Sequence, residues 1–415
     1  MVADKNLFLH DVAIVAILKN EGHYLKEWLD YHLLAGVDHF YLYDNESTDD
    51  YSEVVAPYVK AGLVTSKYFP GESMQFAAYD EAVRDYRFAC RYMAFVDLDE
   101  FIYPKTNQTV AEVVDEILSG DEAASGVAIN WQLFGSNKQK SADYSRGVLE
   151  RFTRRAKSDW VVPIPNRDIP GGNAQVKTIA NPRKVNFFTS AHFPIYFEGY
   201  HSVNERGGRV DNYCNEPVTA ARLAINHYHV KSREEHRQKI LKGRAGKKST
   251  YLDDSWFKMY DRNEVFDEGI LSYRIAREAN FSFEDDKAKL ARLKRALTRN
   301  LSACASGAKL PLETALTCRA ASTYLNEQIY EEASLAAIFN SLDGMKLSEA
   351  RLLLSDLPNL LALPYPIAAD LGKVSIKIIS YLMDFMRERE LWRDYSDLDY
   401  LRRFLRTCVH IQKVI

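Results

Sequence analysis

Cysteine is scarce in this 415-residue sequence: Cys90, Cys214, Cys304, Cys318 and Cys408 are widely spaced and form no Cys-x-x-Cys pair. Neither a disulfide framework nor a cysteine zinc site is indicated, and a reducing, cytoplasmic compartment is expected. The 13 prolines and 19 glycines are too few for a disordered or collagen-like chain. No charge of one sign prevails, since 54 lysines and arginines face 57 acids for a net charge of −3. Affinity for polyanions therefore requires local clustering, and nucleic acid is disfavoured as a partner. Long apolar runs are missing as well. The uncharged stretch 357–369 is interrupted by Pro358, Pro364 and Pro366. It falls short of the roughly 20 residues that a membrane span needs. Residues 1–10 lack a basic region leading into an apolar run, and the first such run, 12–18, reads as a strand rather than a leader.

What is present is a chain 47% hydrophobic and 12% aromatic, longer than one core usually organises, so two or three domains are expected. Apolar, β-rich runs at 12–18, 39–43, 63–68 and 92–96 alternate with helical patterns. The first of these carries Leu25, Trp28, Leu29 and His32 and stops near Gly36; the others cover 49–60 and 75–91. This βαβαβαβ order predicts a parallel sheet covered on both faces, with ligands bound beyond the carboxyl ends of its strands. Further strands are expected at 126–131, 147–152, 176–179 and 221–226, between loops rich in Pro, Gly and Asn. Beyond Lys231 nearly everything reads as helix, with a joint at 303–311 and no internal repeat. The expected organisation is a Rossmann-like α/β domain over 1–245, a helical connector over 246–305 and a smaller all-helical domain over 306–415.

Polar residues at strand ends carry the candidate chemistry. Asp97-Leu98-Asp99 follows the apolar strand ending at Val96, where oxygen donors suit Mg²⁺ or Mn²⁺; the alternative is helix capping. Asp-x-Asp arises about twice by chance in a chain of this composition, and a second copy, Asp397-Leu398-Asp399, lies in a charged helical stretch where a solvated face suffices. The loop Tyr43-Asp44-Asn45-Glu46-Ser47-Thr48-Asp49 could read a nucleobase, although Ser47 or Asp49 also suits a helix cap. Asn226-His227-Tyr228-His229-Val230-Lys231 ends another strand, and 231–248 holds eight basic residues against Glu234 and Glu235. That segment either attracts phosphate or forms a solvated face. Trp131 and Phe134 suit either a sugar-stacking wall or the core.

Taken in order, Lys19-Asn20-Glu21, Glu27-Trp28, Tyr31-His32, Gly36-Val37, Tyr43-Asp44-Asn45, Ser47-Thr48-Asp49, Phe95-Val96-Asp97-Leu98-Asp99-Glu100-Phe101, Phe134-Gly135, His227-Tyr228 and Lys231-Ser232 resemble family 2-like glycosyltransferases related to glycosyltransferase family 92. The resemblance covers about residues 10–245. It implies a GT-A (nucleotide-diphospho-sugar transferase) fold, a sugar-nucleotide donor, commonly a UDP-sugar, and Mn²⁺ or Mg²⁺ bound through Asp-x-Asp. It further implies that Asn20, Glu21, Asp44 and Asn45 surround the nucleoside and that Asp97 lies toward ribose or metal. Asp99 and His227 would bind metal, with His229 the weaker ligand. Lys231 would neutralise the diphosphate, and Trp131 with Phe134 would form an acceptor wall. A carboxylate base well downstream is implied too; Glu198, Asp211 and Asp159 are candidates, Glu198 foremost, while Glu205 fits a turn beside Gly207 and Gly208.

These readings favour a metal-dependent glycosyltransferase acting on a glycan or lipid-linked acceptor. A sugar-phosphate nucleotidyltransferase would need a glycine-rich phosphate loop that Lys19-Asn20-Glu21-Gly22 does not supply. A non-catalytic sugar-nucleotide or glycan-binding module would dispense with the metal. Finally, 287–299 places Leu290, Leu293 and Leu297 at helical spacing among six basic residues. Such a helix either packs onto its own domain or makes peripheral contact with the inner face of a membrane.

Overall fold

The computed structural model describes residues 4–163, 170–242, 254–282, 284–342, 345–361 and 383. The chain divides into two compact units, Lys5–Leu293 and, built mainly on Lys294–Ile415, a second that includes Met1–Asp4. The first opens with β1 (His10–Leu18), α1 (Gly22–Leu34), β2 (His39–Asp44), α2 (Tyr51–Lys60), β3 (Val64–Tyr68), α3 (Gln75–Tyr86) and β4 (Cys90–Phe95), the alternation predicted from the apolar runs. β1 pairs in parallel with β2 and β4, and β2 with β3. Alternate residues of β1 serve opposite faces. Val12, Ile14, Ala16 and Leu18 share a core with Leu25, Trp28 and Leu29 of α1, while Ala13, Val15 and Ile17 share another with Ala78, Tyr79, Ala82 and Val83 of α3. Burial on both faces is why the run is continuously apolar.

The unit continues with β5 (Glu100–Pro104), α4 (Val110–Leu118), β6 (Ala124–Leu133), α5 (Val148–Arg151), β7 (Arg154–Arg155), β8 (Val161–Pro163), β9 (Pro170–Gly172), β10 (Val176–Ala180), β11 (Val185–Phe188), β12 (Pro194–Tyr196), β13 (His201–Val203), β14 (Arg209–Val210) and β15 (Leu223–His227). The main sheet runs β14-β13-β6-β10-β4-β1-β2-β3, with β15 joined to both β6 and β5. The first four strands are parallel as expected, and β10 enters antiparallel between β4 and β6. Apolar spacing reports burial and carries no pairing direction. The predicted strand at 147–152 is instead α5, a single turn whose Val148 and Leu149 amides donate to the Glu27 carboxylate. That side chain satisfies donors that a helix start leaves open.

After β15 come α6 (Arg233–Lys242), α7 (Asp254–Tyr260), β16 (Val265–Phe266), α8 (Gly269–Glu278) and α9 (Asp286–Ala305). Phe257, Tyr260, Ile270 and Tyr273 join the core of the strand domain. Among the described residues the second unit is helical, with α10 (Leu312–Leu325), α11 (Gln328–Ser341) and α12 (Leu347–Leu361). Leu316, Cys318, Ala321, Ile338 and Leu353 are buried there. The Asp397/Asp399 pair lies outside the described residues. In α9, Leu293 and Leu297 are fully buried. Arg292 donates to the Asn6 and Phe8 carbonyls and to Glu284, Lys294 pairs with Glu327, and Arg299 with Asp4. Two of the three leucines in the stripe considered for membrane contact are thus buried, while Leu290 is exposed. Among the described residues no helix is long and apolar enough to cross a membrane.

Candidate active site

The site forms where β1, β2, β4 and β15 end. At β1, Asn20 takes a left-handed backbone (φ 51°). Its amide donates to Ser47 Oγ at 3.0 Å and its side-chain oxygen accepts from the Thr48 amide at 2.7 Å, tying the first loop to the second. Asp49 accepts from the Gly22 amide at 2.8 Å and from the Tyr51 amide at 3.3 Å, so one carboxylate caps two helix starts. These bonds fix Asn20, Glu21, Thr48 and Asp49 as one wall of a cleft of about 350 Å³, which His229, Lys231 and Lys239 also line.

The metal candidates are brought together by strand register. β5 and β15 are antiparallel with Glu100 opposite His227, and the Tyr228 amide donates to the Asp99 carbonyl at 2.8 Å. His227 and His229 thus flank Asp99. The Trp28 indole donates to the Glu100 carbonyl at 2.8 Å, pinning the start of β5. One ligand atom each from Asp99, His227 and His229 lies within 4.8 Å of the others, and all three residues are buried. A carboxylate with imidazoles fits a divalent cation and suits Mn²⁺ better than Mg²⁺. His229 Nε2 accepts from the Trp256 indole at 2.8 Å, which leaves Asp99 and His227 as the readier ligands. Asp99 Oδ1 lies 3.5 Å from His227 Nε2, and Oδ2 lies 2.5 Å from Lys239 Nζ and 3.9 Å from Lys231 Nζ. Burial pushes the Asp99 carboxyl up, but Lys239, His227 and Lys231 outweigh it and hold the group well below the usual range. Burial lowers His227, favouring the neutral imidazole that ligates metals, and brings Lys231 down to about 8.

Asp97 stands apart from this trio. Its Oδ2 accepts from Lys177 Nζ and its Oδ1 from Gln75 Nε2, both at 3.0 Å, so both oxygens are committed to protein donors. Lys177 also lies 3.3 Å from Glu100 Oε2. Lys177 and Glu100 are wholly buried. Burial raises the Glu100 carboxyl to about 8, whereas Lys177 overcomes burial at Asp97 and holds it low. Sequence reasoning passed over Lys177, although a lysine inside the apolar run 176–179 was the available signal. It also did not single out Lys239 from the basic segment, or Trp256.

Other candidates are placed elsewhere. Asp44 accepts from the Ser47 amide at 2.9 Å, and buried Asn45 spends its amide group on the Phe69 and Gly71 carbonyls, each at 2.9 Å. Both shape the loop, and neither lines the cleft, unlike Asn20 and Glu21. Trp131 stands beside the metal candidates, its ring 4.3 Å from that of His227. Phe134 is 0% exposed and packs on Tyr228, so it offers no acceptor surface. Glu198 precedes β13, whose His201 pairs with Ala124 at the start of β6, while His227 pairs with Leu133 at its end. The length of β6, about 3.3 Å per residue, separates Glu198 from the metal candidates. Asp211 follows β14, which pairs back along β13 to that same far end, and it forms an exposed ion pair with Arg209. Asp159 is exposed in the loop before β8. Glu205 accepts from the Ala221, Arg222 and Leu223 amides and pins the start of β15.

A family model described as glycosyltransferase family 92 matches residues 15–269. A glycosyltransferase family 92 protein of Ricinus communis is 25% identical over 248 residues, 59% of this chain and 39% of the relative. The galactan beta-1,4-galactosyltransferase GALS2 of Arabidopsis thaliana is 26% identical over 190 residues, 43% of this chain and 34% of its own length. The chain thus spans well under half the length of these relatives. The S. aureus TarS 1–349 structure covers 89% of this chain and 91% of its own at 13% identity and a TM-score of 0.29, too low a likeness to carry an argument.

Proposed function

The chain belongs to glycosyltransferase family 92, and from that premise we propose that the cleft binds a UDP-sugar with Mn²⁺ or Mg²⁺ and passes the sugar to a glycan or lipid-linked acceptor. The observation that carries this reading is the convergence of Asp99, His227 and His229 within 4.8 Å beside a cleft that also holds Lys231. We read the strand domain as GT-A, supported by the parallel run β3-β2-β1-β4, which leads into the Asp-x-Asp turn. Asp99 and His227 hold the cation, with His229 behind them. A divalent ion there would offset the negative charge that develops as a nucleoside diphosphate departs. Lys231 adds a fixed positive charge: its ammonium lies 4.5 Å over the Tyr24 ring, and the side chain is nearly buried. Asn20 and Glu21 line the nucleoside end of the cleft. Trp131, against His227, lies toward the acceptor. Cytoplasmic residence is proposed on the free state of Cys90, Cys214, Cys304 and Cys318.

The test is a donor panel on the full chain, led by UDP-galactose because relatives are named galactan galactosyltransferases, with Mn²⁺ or with chelator. Sugar release or transfer from one UDP-sugar, lost by at least about a hundredfold on chelation, is expected. Equal turnover in chelator, or turnover with no nucleotide sugar, would overturn the proposal.

A further inference from the structure

Lys239 is the cation most closely engaged with the proposed metal ligands. It projects from α6, its Nζ lying 2.5 Å from Asp99 Oδ2 and 3.3 Å from the His229 carbonyl. Lys231 approaches the same carboxylate oxygen only to 3.9 Å. The two lysines are held differently. Lys231 is 5% exposed and seated on the Tyr24 ring, whereas Lys239 is 25% exposed at the edge of the cleft. A lysine stem has four flexible carbons, so an ammonium at such an edge can move by several ångströms without moving the helix.

We propose that Lys239 is an exchangeable counter-ion: it neutralises Asp99 until a divalent cation takes that carboxylate, then turns along the cleft to the diphosphate of the nucleotide that arrives with the cation. This rests on the metal and nucleotide reading given above. Asp99 Oδ1 faces His227 and Oδ2 holds Lys239, so a dication on this carboxylate would stand within a few ångströms of the ammonium, and like charges that close repel strongly where water is excluded. The displaced ammonium then needs another anion. Among the carboxylates of the cleft, Glu235 is held by Arg151 at 2.8 and 3.0 Å and by Tyr24 at 2.8 Å, and Asp49 by the Gly22 amide. With Lys231, Lys239 and a dication set against Asp99, Glu21 and Asp49, and Glu235 offset by Arg151, the cleft still carries an excess of positive charge for a diphosphate to balance.

The two halves of the proposal predict effects of opposite sign in one variant. In calorimetric titrations of the full chain, Lys239→Met should bind Mn²⁺ alone about tenfold more tightly than wild type, since a competing cation is gone. With Mn²⁺ saturating, it should bind UDP about tenfold more weakly. Lys239→Arg, which keeps the charge, should stay near wild type in the first titration. Unchanged or weaker Mn²⁺ binding by Lys239→Met, or unchanged UDP binding, would overturn the proposal. If neither wild type nor Lys239→Met binds Mn²⁺, the metal reading of the site fails and takes this proposal with it.

Discussion

Asp99→Asn is expected to lower sugar transfer by at least about a thousandfold, the scale on which a group stabilising developing charge acts, while leaving the fold intact. The substitution keeps the side chain's shape and removes the only anionic member of the Asp99, His227 and His229 cluster. It also leaves Lys239 and Lys231 without the carboxylate that both approach, so the pocket repels a cation where it had attracted one. Asp97→Asn is the matched comparison. Both Asp97 oxygens are occupied by Lys177 and Gln75, so its loss should be smaller and should come with reduced stability. Steady-state rates for the two variants at fixed Mn²⁺, with circular dichroism to check folding, decide between them. A deeper loss of transfer in Asp97→Asn would move the metal site one turn of chain back.

The second large effect falls on stability. Lys177→Met should cost on the order of 2 to 3 kcal/mol, less than the roughly 3 to 5 usual for removing one partner of a fully buried ion pair, because Asp97 is 39% exposed and can be solvated. Lys177 is 0% exposed and lies 3.0 Å from Asp97 Oδ2 and 3.3 Å from Glu100 Oε2. A methionine fills the space but leaves both carboxyls without their cation, so Lys177→Met with Asp97→Asn should regain part of the loss. Glu100 adds a pH dependence whose sign follows from its raised value. The folded state holds the Glu100 proton up to about pH 8, against 4.5 for an ordinary glutamate. Its stabilising contribution is therefore full below pH 4.5 and declines as pH rises toward 8, by about 1.4 kcal/mol per pH unit at most. Glu100→Gln should remove that slope. Urea unfolding at pH 5, 6.5 and 8 measures both effects, and wild-type stability in Lys177→Met would show that the buried cluster does not depend on its cation.

Much of the half that ends at the cleft was legible because its signals are local. The strand 12–18 is apolar on both faces since it is buried on both faces, and Asp97-Leu98-Asp99 declares itself at a strand end. What lay hidden depends on contacts distant in sequence. Nothing near 176–179 shows that β10 runs antiparallel into the sheet, carrying Lys177 under Asp97. His229 and Trp256 are 27 residues apart, and their hydrogen bond follows from the packing of α7. Glu198 and Asp211 looked plausible as bases because distance along the chain says nothing about which end of β6 a residue reaches. Phe134 shows the same limit on a smaller scale. An aromatic at a strand end reads alike whether it faces a sugar or, as here, Tyr228.

If Asp99 and His227 bind a divalent cation, the nucleotide is held through that cation. Calorimetric titration of UDP into the full chain, with and without Mn²⁺, in wild type and His227→Ala, tests this most directly. At least about tenfold tighter UDP binding with Mn²⁺ is expected in wild type, and no such gain in His227→Ala. UDP affinity that is the same with and without Mn²⁺ in wild type, or a full Mn²⁺ gain retained in His227→Ala, would contradict it.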